Sequence, residues 1–313
     1  MHPAFSVIFF TTASGAGYGL LALTSVFAPL RLIPADRGFA FTVLALSLGL
    51  ITAGLLSSTA HLGHPERAWR AFSQWRTSWL SREGVLSVAT YVPAGIFSLG
   101  WIFFGRLDGP FALIGYAAAI LAALTVCCTA MIYASLKPVR AWNNAWVVPV
   151  YFVLALMTGA LWLNALIHVW GAGAPWLGYL AAAAIVAGFV VKHRYWRFID
   201  TTPGSSTPES ATGLKGKVTL LDGPHTEANY LLREMGYAIA RKHSLKLRWI
   251  AVIVGFALPL VLTLLAPAIG GTLAVPVTLL AAVAGLLGVL VERWLFFAEA
   301  KHTVTLYYGA SSA

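Results

Sequence analysis

The sequence predicts an all-α integral membrane protein: a bundle of about eight transmembrane helices, with an amphipathic helix on the aqueous side between helices six and seven. Three observations carry this. Of 313 residues, 59% are hydrophobic and only 10% charged, whereas a soluble domain carries roughly 25% charged residues. The mean hydropathy is +0.78. Apolar runs recur along most of the chain, each about as long as the ~20 residues a helix needs to cross the hydrocarbon core.

Hydropathy places the helices near residues 5–30, 39–60, 84–105, 110–135, 146–169, 175–192, 249–268 and 272–294. The first opens close behind Met1 without a basic leader or a small-residue cleavage site, so it reads as a retained helix. Gly15, Gly17 and Gly19 give it a small-residue face, and the alanine-rich sixth helix allows similarly close packing. Pro93, Pro149, Pro259 and Pro276 fall inside spans or near their ends. They predict kinks rather than breaks, because neighbouring groups in a membrane bundle can satisfy the carbonyls that proline frees.

The chain divides into six helices over 1–192, an extramembrane segment over 193–247, and two helices with a tail over 248–313. The stretch TTPGSSTPESATG reads as an irregular linker. From His225 to Lys246 the pattern changes: Tyr230, Leu231, Met235, Ile239 and His243 recur at helical spacing, with Arg233, Glu234, Arg241 and Lys242 among them. That is an amphipathic helix beside the membrane, suited equally to lipid contact and to docking a partner.

The net charge of +10 does not point to nucleic acid, because the basic residues lie in short segments between apolar spans and act as topology determinants. Arg67, Arg70, Arg76 and Arg82 follow helix two, Lys137 and Arg140 follow helix four, and the segment after helix six is also basic. The opposite loops offer Arg31, Arg37 and Arg106. The positive-inside rule therefore places both termini and the basic loops in the cytoplasm. Cys127 and Cys128 are adjacent within an apolar span, which suits neither a disulfide framework nor a four-thiolate metal site, so any iron-sulfur cluster must belong to another chain.

Seven of the eight histidines lie at expected cytoplasmic ends or loops, His168 being the exception. The densest constellation is HLGHPERAWRAFSQWRTSWLSRE, residues 61–83. His61 and Glu83 fall where the chain crosses the interface, and ionisable groups at such depths are functional candidates. An interfacial girdle of Trp69, Trp75, Trp79 and four arginines explains the same stretch equally well.

That stretch, with the opening MHPAFSVIFFTTASGAGYGLLAL, the segment PHTEANYLLREMGYAIARKHSLKLR and the closing VERWLFFAEAKHTVTLYYG, resembles the anchor subunits of the dimethyl sulfoxide reductase family over essentially the whole chain. The resemblance implies eight helices in a bacterial cytoplasmic membrane. It also implies two soluble partners, an iron-sulfur subunit and a molybdopterin catalytic subunit, and electron exchange with ubiquinone or menaquinone. No catalysis on the soluble substrate is implied for this chain. The family's HLG histidine and SxE carboxylate fall on His61 and Glu83, the arginine of its PxRA pattern on Arg67, and a family tyrosine on Tyr133. A histidine titrating near neutrality and a carboxylate can hold a quinone carbonyl and supply protons, with His64 and Glu83 as proton-relay candidates. The best-known member of the family carries its partners on the periplasmic face. A cytoplasmic HLG loop instead resembles the membrane-bound sulfite dehydrogenases, in which a cytoplasmic molybdenum enzyme oxidises sulfite to sulfate.

Four rival readings remain open at this level: a quinol-oxidising anchor, a purely structural anchor whose electrons leave by another route, a secondary transporter and a b-type cytochrome. The last needs two facing histidines, such as His61 or His64 with His193 or His243. A transporter would want polar groups at the bilayer midplane, where these spans are mostly alanine, leucine and valine.

Overall fold

A computed structural model describes residues 5–60, 62–202, 206–222, 241–308 and 310. Eight of its helices are long and apolar enough to cross a membrane: α1 (Phe5–Phe27), α2 (Arg37–Thr59), α3 (Trp79–Ile102), α4 (Gly109–Ala134), α5 (Val147–Val169), α6 (Pro175–Thr201), α7 (Ser244–Ile269) and α8 (Gly271–Ala298). Among the described residues the one β-type pairing is an isolated bridge between Val139 and His302. The chain is a multi-pass membrane protein, as its hydropathy requires. The expected amphipathic helix lies outside the described residues as far as position 240; Arg241 and Lys242 are helical, and α7 begins at Ser244.

Two helices form the centre of the bundle. The apolar windows of α1 and α5 are 72% and 78% buried, against 33–44% for the other six, and α1 packs on α2, α4, α5 and α8 while α5 packs on α1, α4, α6 and α8. Their close crossing depends on glycine. A Cβ on Gly19 would overlap the Ala155 carbonyl, and one on Gly159 would strike the Gly19 backbone. Gly17 likewise faces Ser47 and Ile51 of α2, whereas a Cβ on Gly15 would meet nothing within 4 Å. The small-residue face of α1 is thus two positions of contact, not three.

Chain-end chemistry sets several boundaries that hydropathy places differently. Asp36 caps α2, its Oδ1 accepting from the Phe39 amide at 2.8 Å and from Trp170 Nε1 at 3.3 Å, and the amide holds its carboxyl below the usual carboxylate range. Ser78 caps α3, so that helix starts five residues before its apolar run. α6 continues past 192 to Thr201 because Tyr195 and Trp196 turn inward and are buried. In α7 a π-helical turn, Ile253–Ala257, precedes Pro259. Proline lacks the amide that would bond the Gly255 carbonyl, and the wider turn absorbs that loss without breaking the helix.

The helices alternate, so one end of the bundle collects the starts of α1, α3, α5 and α7, the ends of α2, α4, α6 and α8, and the longer connections. At this loop-rich end a 3₁₀ segment, Pro65–Gln74, folds back on α3. Ser81 Oγ donates to the Ala71 carbonyl, and Arg82 donates to the carbonyls of Trp75 at 3.0 Å and Arg76 at 2.6 Å.

Candidate functional site

A charged layer crosses the interior of the bundle near its loop-rich end. On one side is Glu83, in the second turn of α3 and only 5% exposed. Its Oε1 lies 2.6 Å from Thr129 Oγ1 on α4, which also lies 3.1 Å from the Thr125 carbonyl. A hydroxyl has one proton to give. An ionised Glu83 takes that proton, while a protonated Glu83 donates to Thr129, whose own proton then turns to Thr125. The pair is hydrogen-bonded in both charge states. Ser87, one turn further along α3, and Tyr18 of α1 are buried beside it; Tyr18 approaches Ser87 and Thr125 without a hydrogen bond to its hydroxyl.

On the other side are Lys192 of α6 with Glu292 and Arg293 of α8, all 0–2% exposed. Glu292 ion-pairs with both Lys192 and Arg293 Nε, so each carboxylate oxygen has a cation. Aromatic rings enclose the cations: Arg293 lies 4.2 Å over Tyr151 and 4.9 Å over Phe296, and Lys192 lies 4.0 Å over Tyr195 and 5.0 Å over Trp196. Neither Nη nitrogen of Arg293 nor the Tyr151 hydroxyl makes a hydrogen bond in the described structure. Charges withdrawn this far from water carry a desolvation penalty of several kcal/mol each before pairing.

Between the two sides lies a cavity of about 20 Å³, bordered by Thr11, Ser14, Tyr18, Thr129, Tyr151 and Arg293. That is room for one or two waters, with enough polar partners to hold them. Tyr18, Val126 and Ala155 form a wall shared with a larger apolar cavity of about 530 Å³, bordered by residues of α1, α4, α5 and α6 including Phe27, Ala123, Phe152 and Val191. An elongated apolar molecule therefore has space directly beside a buried polar layer.

The residues that the sequence marks as candidates separate into two groups. Glu83 and Tyr133 belong to the interior. Tyr133 lies one turn beyond Thr129 on α4 and packs into an aromatic cluster, with ring centroids 6.0 Å from Tyr151, 5.2 Å from Trp142 and 5.4 Å from both Phe296 and Phe297. His64 and Arg67 lie outside it. They are exposed, His64 just before the 3₁₀ segment and Arg67 on it, and both turn to Glu66, at 3.0 and 3.7 Å. His61 lies outside the described residues. Lys192, Glu292 and Arg293 are not among the sequence candidates, although charges set in otherwise apolar runs are a signal in themselves.

Similarity to known proteins runs along the whole chain. Residues 1–309 match the family model described as DMSO reductase anchor subunit (DmsC). The chain is also 32% identical to a sulfite dehydrogenase subunit of Allochromatium vinosum, in an alignment covering 98% of this chain and 99% of that protein. A match across the whole chain, with eight membrane-spanning helices, places this protein in the DMSO reductase anchor subunit (DmsC) family.

Proposed function

We propose that this chain is the quinone-reactive membrane anchor of a molybdopterin and iron-sulfur oxidoreductase, receiving electrons from an iron-sulfur partner and passing them to ubiquinone or menaquinone. The observation that carries the reading is the placement of Glu83 in a buried polar layer beside an apolar cavity of about 530 Å³. Such a cavity suits an isoprenoid tail, and the Tyr18 hydroxyl, on the wall it shares with the polar layer, suits a ring carbonyl. A bound quinone supplies two-electron, two-proton chemistry. Tyr18, whose hydroxyl is buried without a hydrogen bond, can donate to a carbonyl, and Glu83 can deliver a proton while Thr129 keeps it hydrogen-bonded in either charge state. Tyr133 supports Tyr151 from the loop-rich side. His61 joins this site by family resemblance alone.

His64 and Arg67, with the exposed Trp69, Phe72 and Trp75, form an outward face, which we assign to docking of the iron-sulfur partner. Exposed aromatics beside arginines are the residue types enriched at protein interfaces. The likeness to a sulfite dehydrogenase subunit and the arginine excess in this loop together favour sulfite oxidation by a cytoplasmic catalytic partner. Both termini would then also be cytoplasmic.

The test is Glu83→Gln, alongside His61→Ala, in the assembled complex. Quinone-coupled turnover should fall by roughly 100-fold to 10,000-fold, as for loss of a positioned acid or base. Turnover with a soluble artificial acceptor, which takes electrons from the partner subunits, should remain. Assembled variants with near-normal quinone activity would show the carboxylate to be interface structure.

A further inference from the structure

Quinone reduction requires two electrons and two protons for two carbonyl oxygens, and Glu83 stands on only one side of the polar layer. The other side continues to the aqueous surface. Glu299, just beyond α8, has one oxygen 2.7 Å from Arg248 Nε and the other buried without a hydrogen bond. Arg248 also holds Asp200, whose side chain is 53% exposed, through two bonds of 2.7 and 2.9 Å. Arg241 fixes the turn by donating to the carbonyls of Ala298 and Ala300 at 2.9 and 2.8 Å. Inward, Glu299 lies within electrostatic reach of Lys192, Lys192 pairs with Glu292, and Tyr151 lies within reach of both the Glu292–Arg293 pair and Glu83.

We propose that Glu299, Lys192 and Glu292 form a second proton-delivery limb, running from the aqueous surface at Asp200 to the small cavity bordered by Arg293 and Tyr151, and supplying the carbonyl that Glu83 does not serve. The proposal rests on the quinone reading above. In the limb, the Lys192 ammonium gives its proton to Glu292 within the ion pair, leaving a neutral amine and a neutral acid. Glu292 hands the proton to Tyr151, which borders the cavity and releases its own proton there, so that Glu292 returns to the carboxylate; Lys192 regains a proton from Glu299, which is recharged from water beside Asp200. Each step moves one proton between named groups, and the electrons come from the iron-sulfur partner. Arg293 and Arg248 are positioning residues, permanently charged. Among the described residues the charged groups around Glu299 include Arg248 on α7, Lys192 and Asp200 on α6, and Arg241, which bonds the carbonyls of Ala298 and Ala300 on either side of it. Burial holds the Glu299 carboxyl above the usual carboxylate range despite Arg248, which keeps it nearer to a proton donor at neutral pH.

Two variants test this in the assembled complex. Glu299→Gln removes the entry group. Lys192→Arg keeps the positive partner of Glu292 but cannot surrender a proton. Both should lower quinone-coupled turnover by about tenfold or more, as for loss of a proton-transfer group. Turnover with a soluble artificial acceptor should hold, and the loss in Glu299→Gln should deepen between about pH 6 and about pH 8 as protons become scarce. Imidazole, a diffusible proton donor, should restore part of the Glu299→Gln rate. A loss that is independent of pH and not restored would mark a structural role and overturn the limb. So would wild-type behaviour of both variants while Glu83→Gln stops quinone turnover, which would leave the quinone reading standing. If Glu83→Gln and both variants all run at the wild-type rate, the quinone reading itself falls.

Discussion

Thr129 lets Glu83 change charge without leaving a buried atom unpaired, and that arrangement can be tested at single-atom scale. Thr129→Val preserves shape but removes the hydroxyl, whereas Thr129→Ser keeps it. An unpartnered buried carboxylate is destabilised by about 1–3 kcal/mol or more, so the valine variant should lose about tenfold or more in quinone-coupled turnover, and the serine variant little. The split between kcat and the KM for quinone decides between proton handling and ring binding, and the expected loss is in kcat. Glu83 is legible in the sequence because it stands at the mouth of a span among other charges. Lys192, Glu292 and Arg293 are not, because a hydropathy window averages them into their apolar neighbours, and nothing local records that residues about 100 positions apart meet inside the bundle. His64 and Arg67 group with Glu83 by sequence proximity, but the turn at Ser78 directs the loop outward and Glu83 inward.

Packing between elements depends on a few crossings. Gly19→Val would place a branched side chain into the Ala155 carbonyl, and overpacking of this kind typically destabilises by about 1–3 kcal/mol or more. Thermal unfolding in detergent should show a clear drop for Gly19→Val, with Gly15→Ala close to wild type because its new methyl enters open space. The start of α2 is sensitive to pH for a separate reason. The folded-state pKa of Asp36 is depressed by the Phe39 amide, so its capping contribution is present at neutral pH and is lost as pH falls through that value, below the ~3.9 of a free aspartate. An acid titration of unfolding should show this loss in the wild type and not in Asp36→Asn, which caps without a titrating proton. The eight spans and the tolerance of their prolines can be read from hydropathy. The π turn before Pro259 cannot, since it depends on the balance of backbone bonds within α7.

For the molecule as a whole, the alternation of spans and the basic loops set an orientation that reporter fusions can check. Fusions after α2, α4 and α6 should report cytoplasm, and those after α1, α3 and α5 the opposite side; a reversed pattern would remove the argument for a cytoplasmic sulfite-oxidising partner. Number and order of helices are legible because each span must satisfy its own backbone within the bilayer. The central position of α1 and α5 is not, because it depends on which small faces meet, and glycine and alanine occur in nearly every span.

The charged layer lies at one end of the bundle, the same end that carries the proposed docking loop. With the partner seated there, electrons would enter from the side on which Asp200 opens to water, and protons would follow from that same side. The two kinds of charge would then meet without either crossing the full thickness of the bilayer. Turnover in sealed vesicles should be electrically silent, conserving no energy as membrane potential in this step and leaving that task to whichever enzyme reoxidises the quinol.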